Sequence, residues 1–325
     1  MINDHLLSSF TEFFPGSKPI TTVTSGNQYT VSNSGNYFFS FVLFIGLLGQ
    51  SRGSAIYAAI SNVKFVIEDC SFIRCVNPSN YGAVYMEISA NCGSIMNRVC
   101  GFKCESSTHY QLGFIQVDGL SPNCAILLTI AHCGTNDLQH ACDFWNGNQS
   151  HKSCNSSFNQ AYRMSSFAFC QATLMKSTNM NIFGNDASEH GAILFYGTSN
   201  NVFSYSNIVN NSQYNIHSLG NGVIYNWNNP TTYIDHCIIH DCAKYGNQYL
   251  FYCGSGGSFS IYQCWLQENI QNNGISLSDC YSVTSTFSHQ YINTRECKGN
   301  VNRFKTAAKP EFRFLGGLVL IHCLF

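Results

Sequence analysis

The sequence predicts an all-β chain wound as a right-handed parallel β-helix, a solenoid of about nine coils, and three observations lead there. Short runs of β-forming apolar residues alternate with Asn, Ser and Gly. The runs recur with a loose period of about 29 residues. No stretch carries the helical spacing of apolar residues at i, i+3, i+4 and i+7.

Composition sets the frame. With 325 residues, 45% of them hydrophobic, the chain can bury a sizeable core. Only 10% of residues are charged, against roughly 25% in ordinary soluble domains. Asn outnumbers the 17 acidic residues, a balance suited to tight turns and stacked amide ladders. A formal net charge of -1 without a basic run excludes the electrostatic footprint of a nucleic-acid partner. The 17 cysteines are an odd number, so at least one is unpaired within the chain. Sequons at Asn148, Asn155 and Asn210 become relevant only in a secretory pathway.

Taken in order, residues 1–36 read as an irregular leader ending in a strand that caps the first coil. The basic and apolar regions of a signal peptide are not visible in it. Residues 37–300 carry the coils. The stretch "VIEDCSFIRC" (66–75) lies without a gap on "VFSYSNIVNN" (202–211), "YIDHCIIHDC" (233–242) and "SIYQCWLQEN" (260–269). Four columns emerge: Ile67 with Phe203, Ile234 and Ile261; Cys70 with Ser206, Cys237 and Cys264; Phe72 with Ile208, Ile239 and Leu266; Cys75 with Asn211, Cys242 and Asn269. A second element begins near Gly53, Gly82, Gly113, Gly191 and Gly222 and runs into alternating apolar positions. Coils of this kind return the chain to the same place one strand spacing higher, about 4.8 Å, so like residues stack. Right-handed winding is the rule for parallel crossovers. Residues 118–170 fit the repeat least and are expected to carry longer loops. The tail 301–325, ending "FRFLGGLVLIHCLF", reads as an apolar cover or as the first half of a membrane segment, through which membrane association would run.

On the motifs "GSAIY", "YGAVY", "HGAILF" and "NGVIY", paired with "FIRC", "IVNN", "IFGN" and "LQEN", the chain resembles the pectin-lyase-like parallel β-helix proteins. More narrowly it resembles polymorphic-membrane-protein-type surface repeats, whose pattern pairs a G-G-A-[IL]-type motif with an F-x-x-N-type motif. The second Gly is absent here and Cys often replaces the final Asn. The resemblance implies display at a cell surface or outside the cell, and adhesion to a glycan or an extracellular protein, without enzymatic chemistry.

The segment "YIDH" (233–236) is also similar to the W-I-D-H segment of pectate lyases. Such a lyase needs clustered carboxylates for Ca²⁺ and a base to remove the proton α to the uronate carboxylate. The acidic residues here are scattered singly. A glycoside hydrolase needs two carboxylates about 5 to 9.5 Å apart, whereas Asp235 and Asp241 fall on different parts of one coil. His236, Cys237, His240 and Cys242 have metal-ligating atoms, as do His132, Cys133, His140 and Cys142, but strand alternation turns neighbours to opposite sides. The reading is therefore that Ile234, Cys237, Ile239 and Cys242 build the stack while Asp235, His236, His240 and Asp241 decorate it. No catalytic residue, metal ligand or cofactor site is assigned, and a carbohydrate-active enzyme stands as the alternative. Cys70, Cys237 and Cys264 are expected as buried thiols, and Cys92, Cys124, Cys142 and Cys154 as better candidates for disulfides.

Overall fold

The computed structural model describes residues 10–49, 52–79, 81–135, 140–197, 200–213, 222–244, 249–266 and 274–282, with two short pieces at 314–315 and 318–319. The chain is a parallel β-solenoid of about eight turns, close to the nine expected. A single helical turn at 10–13 is the only α-helix among the described residues. Three long sheets form its sides. Face A has 11 strands, from Thr21–Val23 to Ile275–Ser278; face B has 9, from Tyr29–Val31 to Tyr249–Gly254; face C has 10, from Leu43–Ile45 to Tyr281–Ser282. One coil runs Ile56–Ser61 on face B, Val63–Glu68 on face A and Ser71–Ile73 on face C, then returns to face B at Val84–Ser89. Val84 then sits on Ile56 in parallel register.

Coil length varies while the faces stay in register. Asn97 stacks on Glu68 after 29 residues, Asn181 on Asn155 after 26, and Thr232 on Asn201 after 31. The stretch 118–170 supplies strands to all three faces, including Pro122–Ile126, Thr129–Ala131 and His140–Trp145. Coil spacing there tightens to 26 residues. At the start of the solenoid, Thr21–Val23 pairs on Tyr37–Phe39, and Phe10 and Phe14 cover Phe38, Val66 and Ile95 on the outer side of face A. The tail 301–325 lies outside the described residues except for the antiparallel pair Phe314–Leu315 and Leu318–Val319. No helix among the described residues is long and apolar enough to cross a membrane.

The corner between faces A and C and the bend just after face C each turn on a single residue. Between faces A and C each coil turns on one residue in the left-handed region: Phe41, Asp69, Arg98, Leu127, Ser153, Asn179, Tyr205, His236, Gln263 and Asp279, with φ between 47° and 56°. After face C a second corner turns on Gly46, Arg74, Lys103, His132, Phe158, Gly184, Asn210 and Asp241. Neither column contains Val, Ile or Thr, because branching at Cβ makes a positive φ most costly. At Gly82 the constraint is different: an added Cβ would collide with the Gln111 carbonyl one coil away, which explains the glycine that opens this face B strand.

From Arg74 onward the residue after each second corner points inward and forms a ladder: Cys75, Cys104, Cys133, Asn159, Asn185, Asn211 and Cys242, all at most 1% exposed. Each of its middle members does two jobs. It accepts from the backbone N–H of the ladder residue one coil earlier: Cys104 N–H to Cys133 Sγ at 3.4 Å, Cys133 N–H to Asn159 Oδ1 at 2.8 Å, Asn159 N–H to Asn185 Oδ1 at 3.1 Å, and Asn185 N–H to Asn211 Oδ1 at 3.0 Å. It also donates to a carbonyl of the earlier coil, as Cys104 Sγ does to Phe72 O at 3.3 Å and Asn185 Nδ2 to Ser156 O at 2.9 Å. Thiol and amide are interchangeable here because each is a short group that both donates and accepts. Asn269, placed in this column by the sequence, lies outside the described residues.

Inside the coils the core is a stack of like on like. Phe44 lies on Phe72 with centroids 4.9 Å apart and planes within 4°. The column of Phe203, Ile234 and Ile261 is in register as expected and buried. In the middle coils the same column turns polar, with His151 above Ala125 and below Ser177. The His151 ring packs 4.5 Å from Phe144 and 4.7 Å from Phe169, its Nδ1 is 3.3 Å from Ser177 Oγ, and Nε2 has no partner. Burial pushes its pKa down to about 3.

Two predictions follow from the interior. Asn185→Ala leaves the Asn159 amide without its acceptor and should cost about 3 kcal/mol, whereas Asn185→Cys should retain most of the stability; chemical denaturation measures both. For His151, the unfolded imidazole takes a proton below its ordinary pKa of about 6.5 while the folded one resists until about 3. Its contribution is complete above the upper value and declines as pH falls toward the lower one, on the order of 5 kcal/mol in all. Thermal melts of the parent and His151→Leu from pH 7 to 4 should diverge, the variant losing less stability; parallel curves would exclude this origin of acid sensitivity.

Candidate functional site

The strand Thr231–Asp235 and the strand Ile238–His240 place the reactive residues of 232–242 at successive corners of one coil. Ile234, Cys237, Ile239 and Cys242 face inward and are buried, as the repeat predicts. His236 and Asp241 are the two left-handed corner residues. Each histidine is held by its own neighbour: His236 Nδ1 lies 2.6 Å from Asp235 Oδ1, and His240 Nδ1 lies 2.8 Å from Asp241 Oδ2. His240, expected as surface decoration, is buried, because it follows Ile239 into the tight second corner. Asp235 and Asp241 sit at separate corners.

His132 and Cys133 belong to the second corner, where the His132 ring stacks on Phe158 at 5.2 Å and Cys133 joins the ladder. His140 and Cys142 are on face B, with Cys142 in the core. Among the described residues no group of three or more His, Cys, Asp or Glu is placed to hold a metal ion. The expected disulfide candidates Cys92, Cys124, Cys142 and Cys154 are all free thiols, as are Cys70, Cys237 and Cys264. They are strand and corner residues rather than loop residues, and burial pushes the thiols of Cys70 and Cys154 up to about 12. Cys100 is held in a disulfide. Of the sequons, Asn155 is buried and receives a bond from Asn181, while Asn210 is exposed.

Stacking brings together two polar clusters that sequence distance hid. Arg98 reaches back one coil to Asp69 with a two-pronged contact, 2.6 and 2.8 Å, and to Glu68 at 2.9 Å; Asn97 Nδ2 adds a 2.7 Å bond to Glu68. Both carboxylates are nearly buried, and the Arg98 guanidinium offsets part of their charge. On face B, His140 Nδ1 lies 2.8 Å from both oxygens of Asp143, a fully buried carboxylate that also accepts from Trp145 Nε1 at 3.3 Å. Residues i and i+3 of a regular strand face opposite sides. Here the register slips between His140 and Cys142 against both neighbouring strands, which puts the pair on one side.

The accessible chemistry lies on the outer side of the last coils. In Thr231–Asp235 and Ser258–Tyr262 the inward residues are Thr232, Ile234, Phe259 and Ile261, so Tyr233, Asp235, Ser260 and Tyr262 face out. Tyr205, Tyr233, Tyr262, Trp265 and Tyr281 are between 39% and 57% exposed. His236 stacks on Tyr205 at 4.9 Å and meets Tyr262 edge-on at 6.3 Å, while Trp265 stacks on Tyr281 at 5.5 Å. A shallow groove of about 470 Å³ lies beside two of these rings, Tyr233 and Tyr262, and is lined also by Val202, Asp235, Ser260, Ser276 and Ser278; among the described residues no lysine or arginine lines it.

Compared with known proteins, the chain matches no family model, no curated protein and no solved structure.

Arg98→Ala should destabilise the protein by about 3 kcal/mol, at the low end for breaking a buried pair because the Arg98 side chain is 44% exposed. Adding Glu68→Gln and Asp69→Asn should recover part of the loss, as urea denaturation of the single and triple variants would measure; no recovery would mean that Arg98 acts through packing instead.

Proposed function

We propose that the chain is a non-catalytic recognition scaffold, a β-helix of the pectin-lyase-like kind resembling polymorphic-membrane-protein-type repeats, which adheres to a ligand at a cell surface or outside the cell. The carrying observation is the set of exposed, coil-stacked rings around Tyr233 and Tyr262. Aromatic side chains left in water cost solvation and supply most of the energy when a partner covers them. The family likeness is supported by glycines opening face B strands at Gly82, Gly191 and Gly222, and by the final Asn or Cys of the second motif taking ladder positions. The second reading is a carbohydrate-active enzyme, favoured by Asp235 in the groove. That groove offers one carboxylate where glycoside hydrolysis needs two.

The reading is tested by antibody access on intact and permeabilised source cells, together with binding of the purified chain to intact cells. The expected result is labelling of intact cells and cell binding that falls at least tenfold in Tyr233→Ala/Tyr262→Ala, a variant that should melt with the parent. Labelling only after permeabilisation, or binding untouched by the double variant, would overturn it.

A further inference from the structure

We propose that the groove on the last coils takes a neutral, hydroxyl-rich saccharide chain laid along the solenoid axis; this rests on the recognition reading and names its ligand. The first argument is shape. In its outward column Tyr233 is followed by Ser260 and Ser276, one per coil, and Tyr262 by Ser278. The two rings are thus diagonal neighbours, each with a serine instead of another large side chain on the next coil. This leaves two aromatic rings beside a shallow, mainly apolar floor that carries three serine hydroxyls, which suits a ring with an apolar C–H face and polar edges. A peptide partner would instead seek a deep apolar pocket for an anchoring side chain, and this groove has no such depth.

The second argument is charge. Among the described residues the lining includes Asp235 and no lysine or arginine, and Asp279 is exposed at the neighbouring corner. Among the described residues the charges at the groove are carboxylates, which repel polyanions, so nucleic acid, sulfated chains and uronate polymers are disfavoured. The pectate-lyase likeness of "YIDH" would point to acidic polymers, and the groove's charge opposes that choice. Asp235 keeps acceptor capacity for sugar hydroxyls, because His236 engages only its Oδ1. Tyr262 faces His236 edge-on and is held in place before any ligand arrives, which lowers the ordering cost of binding.

The test is calorimetric titration of the full chain with short oligomers of neutral glucan, mannan and chitin type and with oligogalacturonate. One neutral series should bind, with affinity rising with length and unchanged between about 0.05 and 0.5 M salt. Tyr233→Ala and Tyr262→Ala should each weaken it at least tenfold, and Ser276→Trp, which fills the floor while sparing both tyrosines, should block it. Tighter binding of oligogalacturonate, or affinity that falls steeply with salt, would overturn the inference. If no neutral series binds while the parent still adheres to cells through Tyr233 and Tyr262, the saccharide is wrong and the recognition reading survives. If the parent does not adhere, the reading itself has failed.

Discussion

Every coil of this solenoid has to turn without leaving buried backbone amides unpaired, and the rest of the structure depends on how the second corner meets that demand. A single left-handed residue reverses direction in almost no length, so the next residue is forced into the interior together with its N–H. An unpaired buried amide costs on the order of 1 to 3 kcal/mol, and the price would recur at every coil. In the middle coils, from Cys104 to Asn185, the ladder removes it by giving each corner amide a side-chain acceptor from the coil above, while the same side chains donate to the coil below. Because each link spans neighbouring coils, the ladder also fixes register, while coil lengths are free to vary between 26 and 31 residues.

This explains which parts of the fold could be read from sequence. Columns such as Ile67 with Ile234, or Cys75 with Cys242, were legible because a stacked interior selects similar residues at each level. The corners were not legible. Arg98, Leu127, Tyr205 and His236 share a backbone conformation and nothing else, and the signal they leave is only the exclusion of β-branched residues. Register slips were equally hidden: the alternation that separates His140 from Asp143 on paper is broken by the local shift that pairs them. Arg98 and Asp69 meet only because one coil returns above another, so a scan for carboxylates close in sequence passes over their partner.

The site shows the same division. The stretch 232–242 looked reactive because the two corner residues of its coil happen to be His236 and Asp241, beside inward cysteines that serve the stack. On the proposed reading its contribution is instead Tyr233 and Asp235, which the alternation of the strand turns outward. Tyr262 joins them from the next coil, in the outward column of Asp235. Inside the stack side chains are chosen to resemble their neighbours, and outside it they are free to differ. Recognition is therefore expected where the outward columns depart from the repeat, as they do in the last coils.

The central claim is that side chains of the ladder close the second corner. Amide hydrogen exchange at Cys133, Asn159 and Asn185 tests it most directly. The account predicts that these three corner amides exchange as slowly as amides in the middle of face A, and that Asn185→Ala selectively speeds exchange at Asn159. Corner amides that exchange as fast as surface turns in the parent protein would contradict it.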